Sequence, residues 1–468
     1  MKDFLDDDFL LETEPARELF HGYAEDLPIF DFHSHLPAEQ IAKNTRFRNL
    51  AQIWLHGDHY KWRIMRSNGI GEEYCTGEAP DYEKFLAWAR TVPYAIGNPV
   101  YHWTHLELKS HFGIRGRILC PDTAEEIWKE CNALLSTDEF RARGILERMK
   151  VRVLCTTDDP ADSLEHHIAL AAEEGFGVRV LPAFRPDRVM AVGAGKGYAS
   201  YLKKLEAAAD LEISSFSALK EALAKRHLFF HRNGCRVSDS AVDTPAFAEA
   251  SGAELEKIFL KGLRGGNVDA REEAKYRTAL LLYLGRMNAE RNWTMQLHLG
   301  ALRNVNSSRF AGIGPDSGFD AMGDAPLAVP AAWLLDALER ENSLPKTILY
   351  VINPSANDRT GALIGCFQNS SRPGRIQFGP AWWFNDTKEG IAKHISALAG
   401  LGLLSKFVGM TTDSRSFLSF PRHEYFRRIL CNIIGGWAEK GELPGDIPFL
   451  GGIVRDICYT NAEKYFSF

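Results

Sequence analysis

Short β-branched and apolar runs recur along the chain, each closed by polar residues and followed by a stretch of helical periodicity. They occupy residues 28–35 (PIFDFHSH), 151–157 (VRVLCTT), 179–184 (RVLPAF), 235–239 (CRVSD), 294–300 (TMQLHLG), 347–353 (TILYVIN), 375–379 (RIQFG) and 407–413 (FVGMTTD). Amphipathic segments at 161–174, 271–286, 331–341 and 388–404 separate several of them. Strands alternating with helices predict parallel βαβ units, and eight such units close on themselves. The fold class expected is therefore α/β, a (β/α)8 TIM barrel.

The chain has 468 residues, where a bare barrel needs about 250. The surplus has a place. Residues 36–150, rich in Trp, His, Arg and helix formers, read as a helical insertion after strand 1 that caps the barrel mouth. Residues 192–231 read as a smaller helical elaboration, and the whole chain, 1–468, as one decorated barrel. Hydrophobic residues at 45% and charged residues at 25% belong to a globular protein rather than a disordered or fibrous one. A net charge of -6 leaves no basic surplus for a phosphate backbone, so nucleic acid is not an expected partner. No run approaches the ~20 apolar residues of a membrane span, and the acidic N-terminus, MKDFLDDDFLLETE, is unlike a secretory signal. A cytoplasmic homo-oligomer acting on a small molecule is expected. The eight cysteines show no CxxC spacing and read as buried thiols. The Gly-rich stretch at 191–197 lacks P-loop spacing and reads as a loop.

Reactive side chains fall at the C-terminal ends of the runs. His33 and His35 end the first, Asp158 and Asp159 follow the second, and Arg185 follows the third. Asp239 ends the fourth, His298 lies late in the fifth, and Asn353 ends the sixth. Trp382 and Trp383 follow the seventh, and Asp413 and Arg415 close the eighth. A TIM barrel builds its active site at this rim, whereas a chance arrangement would scatter such groups over both ends.

In DFHSH, His33 and His35 alternate on a strand, so both imidazoles face the barrel interior and can share a metal. Asp413 can add a carboxylate from across the mouth. Two imidazoles and a carboxylate with open positions suit one divalent ion, zinc or manganese. His298 faces inward, as a metal ligand or as a substrate contact. Asp239 reads as an orienting partner for these ligands or as a helix N-cap. The segment 56–69 (HGDHYKWRIMRSNG) is either a solvated helix face or a lid donating groups to an acidic substrate. Arg185 and Arg415 are anion-binding candidates, and Arg303 reads as an ordinary surface arginine.

Together these pieces resemble the uronate isomerase (glucuronate isomerase) family of the amidohydrolase superfamily, almost end to end. The motifs are FDFHSHL at 30–36, DHYKWRIMRSNGI at 58–70, CTTDDP at 155–160, AFRPD at 183–187, GCRVSD at 234–239, MQLHLGALRN at 295–304 and GMTTDSRSF at 409–417. The resemblance implies a (β/α)8 barrel that interconverts D-glucuronate with D-fructuronate and D-galacturonate with D-tagaturonate. It places the metal on His33, His35 and Asp413, with His298 beside it, and makes Tyr60, Arg415 and His59 participants in proton handling. Arg185, His298, Asp239 and Trp382 are the expected substrate-binding set. One departure is visible: Ser240 follows Asp239 where the family pattern usually has His.

The expected reaction moves a proton from carbon 2 to carbon 1 through a cis-enediol. Asp413 acts as base, Arg415 stabilises the enediolate, and Tyr60 shuttles a proton between the two oxygens. A carboxylate bound to a metal is a weak base, which sets a tension in this scheme. The nearest rival is a mononuclear metal-dependent hydrolase of the same superfamily acting on a small acidic substrate. Strands ending in Asp239 and Asn353, without the bridging Lys or Glu and the further His of a binuclear centre, disfavour a binuclear hydrolytic site. A non-catalytic sugar-acid sensor is disfavoured by the complete HxH, Tyr60 and Asp413 set.

Overall fold

A computed structural model describes residues 2–468. Strands β1 (Ile29–Asp31), β2 (Val151–Cys155) and β3 (Arg179–Leu181) pair in parallel in chain order. Strand β4 (Val237–Val242) pairs with β5 (Thr294–Leu299). The loop after β5 carries a small antiparallel pair, β6 (Ala301–Leu302) and β7 (Ala321–Met322). The parallel sheet then continues through β8 (Lys346–Val351) and β9 (Ile376–Phe378). Every residue of β5 and β8 is buried, as expected for strands covered by helices on one face and by the barrel interior on the other.

Two seams join these sheets into a barrel. Between β3 and β4 the chain relies on Phe184, which bridges to Asp158 on one side and Ser238 on the other. Its N–H donates to the Val237 carbonyl, and the Asp239 N–H donates to the Phe184 carbonyl, both at 3.0 Å. The second seam differs from expectation, because residues 407–413 form no continuous strand ladder. Side chains supply much of the pairing instead. The Val408 N–H donates to Gln377 Oε1 at 3.3 Å, and Asp31 accepts from the Thr411 and Thr412 hydroxyls and from the Thr412 N–H. Backbone bonds return at the rim, from the Asp413 N–H to the His33 carbonyl (3.2 Å) and from the His35 N–H to the Ser414 carbonyl (2.9 Å). Gly409 explains part of the irregularity. It lies at φ +79°, and a Cβ there would sit 2.3 Å from the Ile457 carbonyl oxygen, so no side chain fits where this run begins.

The expected helices are present as Glu165–Ala172, Ala270–Glu290, Ala328–Arg340 and Lys388–Leu401. Residues 36–150 fold into short and medium helices, the longest being Pro99–Phe112 and Pro121–Leu135. Residues 192–231 contain Lys196–Ala209 and most of Phe216–Arg232, which together form the crossover from β3 to β4. No helix among the described residues is long and apolar enough to cross a membrane. The cysteines are free thiols, buried except for Cys120 and Cys366.

Candidate active site

The C-terminal ends of the strands open into a cavity of about 420 Å³ lined by His33, His35, Arg185, His298, Trp382, Asp413 and Arg415, together with His59 and Tyr60 from the inserted helices. Asp413 stands at its centre. Its Oδ1 lies 3.0 Å from His33 Nε2 and 3.2 Å from His35 Nε2, and its Oδ2 accepts the Trp382 indole N–H at 2.8 Å. The residue sits at φ +47°, a left-handed conformation that Asp tolerates better than most side chains. Burial opposes its ionisation, but the imidazole hydrogen bonds outweigh that and hold the carboxyl well below the usual range. His35, desolvated, is pushed down to about 4.

Asp239 organises the inner wall. Arg185 Nη1 donates to its Oδ2 at 3.0 Å, and His298 Nδ1 lies 2.7 Å from its Oδ1. His33 Nδ1 is 3.8 Å from its Oδ2. Arg185 also binds Asp187 at 2.6 Å. Burial works against ionising Asp239, yet Arg185 and the two histidines keep it ionised. β4 runs on to Val242, so Asp239 is neither a strand end nor a helix N-cap. His298 stacks on Tyr350, its partner across the β5–β8 ladder, with ring centroids 4.2 Å apart. Ser240 pairs with Leu297 and, by strand alternation, points away from Asp239 and the cavity. The position where the family pattern implies His therefore lies outside the site.

The donor set fits a cation. Two groups of ligand atoms, His33/His35/Asp413 and His33/Asp239/His298, each lie within 4.8 Å of one another. His33 Nδ1 and His298 Nε2 are buried without a hydrogen-bond partner, and the 2.7 Å approach of His298 Nδ1 to Asp239 Oδ1 lacks hydrogen-bond geometry. The groups differ in charge balance. Arg185 pairs directly with Asp239 and would repel a dication beside it, whereas the direct partners of Asp413 are two imidazoles and an indole.

The lid segment positions Tyr60 and His59 by helix capping. Asp58 caps the helix His59–Ser67, accepting from the Tyr60 N–H at 3.0 Å and the Lys61 N–H at 3.1 Å, which fixes both residues in the first turn. Outside His56 and residues 67–69, which are exposed, the rest of the segment is not a solvated face. Lys61 is buried against Asp58 at 2.6 Å, and Arg63 and Arg66 clamp the loop after β7's partner strand, donating to the carbonyls of Gly318 and Ser317. Burial pushes His59 down to about 4, and its ring stacks on Tyr60.

A glucuronate isomerase family profile matches residues 1–466. The chain belongs to the glucuronate isomerase family. A uronate isomerase from Serratia proteamaculans is 55% identical over 467 residues, spanning 100% of this chain and 99% of the relative. One from Yersinia enterocolitica is 54% identical over the same span. Among solved structures, a uronate isomerase from Thermotoga maritima superposes with a TM-score of 0.93 at 36% identity, covering 99% of this chain and all of that one. A glucuronate isomerase from Caulobacter crescentus gives 0.91 at 25% identity, covering 99% and 97%. Membership makes this chain an isomerase enzyme on a (β/α)8 barrel.

Against that family background, every expected site residue lines the one cavity except Asp239, which lies behind it and holds Arg185 and His298. Arg303 corrects the surface reading. It lines the same cavity, binds Asp243 at 3.2 Å and Asp320 at 3.4 Å, and lies 5.0 Å over the Trp383 ring. It directly follows β6, and the antiparallel pairing of β6 with β7 folds the intervening loop back on itself, an arrangement that periodicity does not reveal. Asp386 was also missed. It accepts the Tyr60 hydroxyl at 2.9 Å from the turn after β9, and its signal was its place just beyond the two tryptophans at that strand's end.

Proposed function

We propose that this site isomerises open-chain hexuronates in hexuronate catabolism, interconverting D-glucuronate with D-fructuronate and D-galacturonate with D-tagaturonate through a cis-enediol. The observation that carries the reading is the convergence of Asp413, Arg415 and Tyr60 on one cavity of about 420 Å³. Asp413, ionised, takes the proton from carbon 2 and delivers to carbon 1 a proton that exchanges with solvent while it is held on the carboxyl. Three donors make it a weak base, and Arg415 compensates by stabilising the enediolate and so acidifying the carbon. Tyr60 handles the proton of the substrate oxygens, and neutral His59 offers them a hydrogen bond. Arg185, His298 and Trp382 form the wall that orients the sugar, with Asp239 fixing the first two.

His33, His35 and Asp413 are the residues that would hold one divalent ion, zinc or manganese. When bound, the ion supplies Lewis-acid polarisation of substrate oxygens. Residues 36–150 serve as the cap that carries His59 and Tyr60 over the mouth. Incubation of the purified protein with D-glucuronate and with D-galacturonate tests the reading. Ketose formation from either is the expected result, and none from both rejects it.

A further inference from the structure

Tyr60 has one hydroxyl proton and directs it away from the cavity, to Asp386 Oδ2 at 2.9 Å. Toward the substrate the phenol oxygen therefore presents lone pairs. Asp386 does not line the cavity and is only 5% exposed. Its other oxygen, Oδ1, is buried without any hydrogen-bond partner. A buried carboxylate with a single side-chain donor is an expensive structural element, since an unsatisfied buried polar atom costs about 1–3 kcal/mol.

The surroundings hold this pair rigidly. Asp386 follows the short helical turn Trp383–Asn385, where Trp383 adopts φ +52°, an unusual conformation for a bulky side chain. Asn385 Nδ2 ties the turn to the Val351 and Ile352 carbonyls at 3.1 and 2.9 Å. From the helix Pro421–Glu439, Arg422 lies 5.2 Å over the Tyr60 ring and donates to the Thr412 carbonyl at 3.2 Å. The titratable and charged groups facing Asp386 are thus Tyr60, Arg422 and Tyr425, with Asp413 beyond them and with Asp58 and Glu107 sharing the field of Arg422.

We propose that Asp386 is the terminal proton acceptor of the oxygen relay, acting on the substrate only through Tyr60. As the O–H bond at the substrate's carbon 2 oxygen breaks, that proton bonds to the Tyr60 oxygen and the phenol's own proton moves to Asp386 Oδ2. The electron pair left on the substrate oxygen forms the new carbonyl. The reverse relay delivers a proton to the oxygen on carbon 1, and the pair ends each turnover unchanged. The concerted transfer removes the need for a free phenolate, which burial at Tyr60 strongly disfavours. Burial also pushes Asp386 up to about 7, against the pull of Arg422, so its proton affinity suits a transient acceptor near neutral pH. Asp386 is a positioning residue, since it does not touch the substrate.

This inference rests on the isomerase reading, and the test separates the two. Wild-type turnover of D-glucuronate addresses the reading itself. Asp386→Asn keeps an acceptor for the phenol but cannot take up a proton. It should lower kcat on the order of 10²-fold or more with KM changed only a few-fold. The acidic limb of the kcat profile near pH 7 should vanish, and adding Tyr60→Phe should lower kcat little beyond Tyr60→Phe alone. Asp386→Asn within threefold of wild type, or strictly multiplicative losses in the double variant, overturns the relay. If Asp386→Asn does not fold, Tyr60→Phe decides alone: its residual activity should lack the acidic limb, and a retained limb overturns the proposal.

Discussion

Trp382 donates its indole N–H to Asp413 Oδ2 at 2.8 Å, opposite the two imidazoles that engage Oδ1. The carboxylate is thereby held by three donors from two separate strand ends, β1 and β9. A hydrogen bond to a charged group contributes about 1.5–3 kcal/mol, equivalent to roughly tenfold or more in rate if it orients the base. Trp382→Phe keeps the packing against His298 and should lower kcat/KM about tenfold or more at an almost unchanged melting temperature. Unaltered steady-state kinetics would show that the indole N–H is dispensable.

The two ligand groups that share His33 make opposite predictions for metal content. With the ion on His33, His35 and Asp413, His35→Ala should emerge from purification depleted of metal, while His298→Ala should retain it. Elemental analysis of the purified proteins checks this directly. Retention in His35→Ala with loss in His298→Ala would move the ion to the Asp239 side.

Asp58 links helix capping to catalysis. Replacing an N-cap Asp by Ala costs about 0.5–2 kcal/mol, and Asp58→Ala also strips the buried Lys61 of its nearest counter-charge. Urea unfolding should show a loss at or above the upper end of that range. Turnover should fall as well, because the first turn carrying His59 and Tyr60 loses its anchor. Normal stability and activity together would contradict this role.

Lys346, at the start of β8, is buried, and desolvation pushes it down to about 7. A lysine with a folded-state value below its unfolded one destabilises the fold fully at low pH. Stability should therefore rise as pH increases from about 7 towards the ordinary lysine value near 10.5. Lys346→Met should be more stable than wild type at pH 7, with an advantage that shrinks as pH approaches 10. A constant difference across that range would contradict the assignment.

The barrel was legible because parallel strands buried on both faces read as apolar runs, as in TMQLHL and KTILYV. The rim followed from where polar residues stop those runs, which brought His33, Asp413 and Trp382 into view together. The seam at residues 407–413 was less legible. There Thr411 and Thr412 pair with Asp31 through side chains, and Gly409 breaks regular register, neither of which hydropathy records. Arg303 and Asp386 escaped for a tertiary reason. One depends on a loop folding back on itself, the other on a cap helix meeting a turn more than three hundred residues away.

The central claim is proton transfer by Asp413 through an enediol, and isomerisation of D-glucuronate in deuterated water tests it most directly. The account predicts deuterium at carbon 1 of the ketose product, and no turnover by Asp413→Asn under the same conditions. Complete retention of the substrate's carbon 2 hydrogen, or substantial activity in Asp413→Asn, would contradict it.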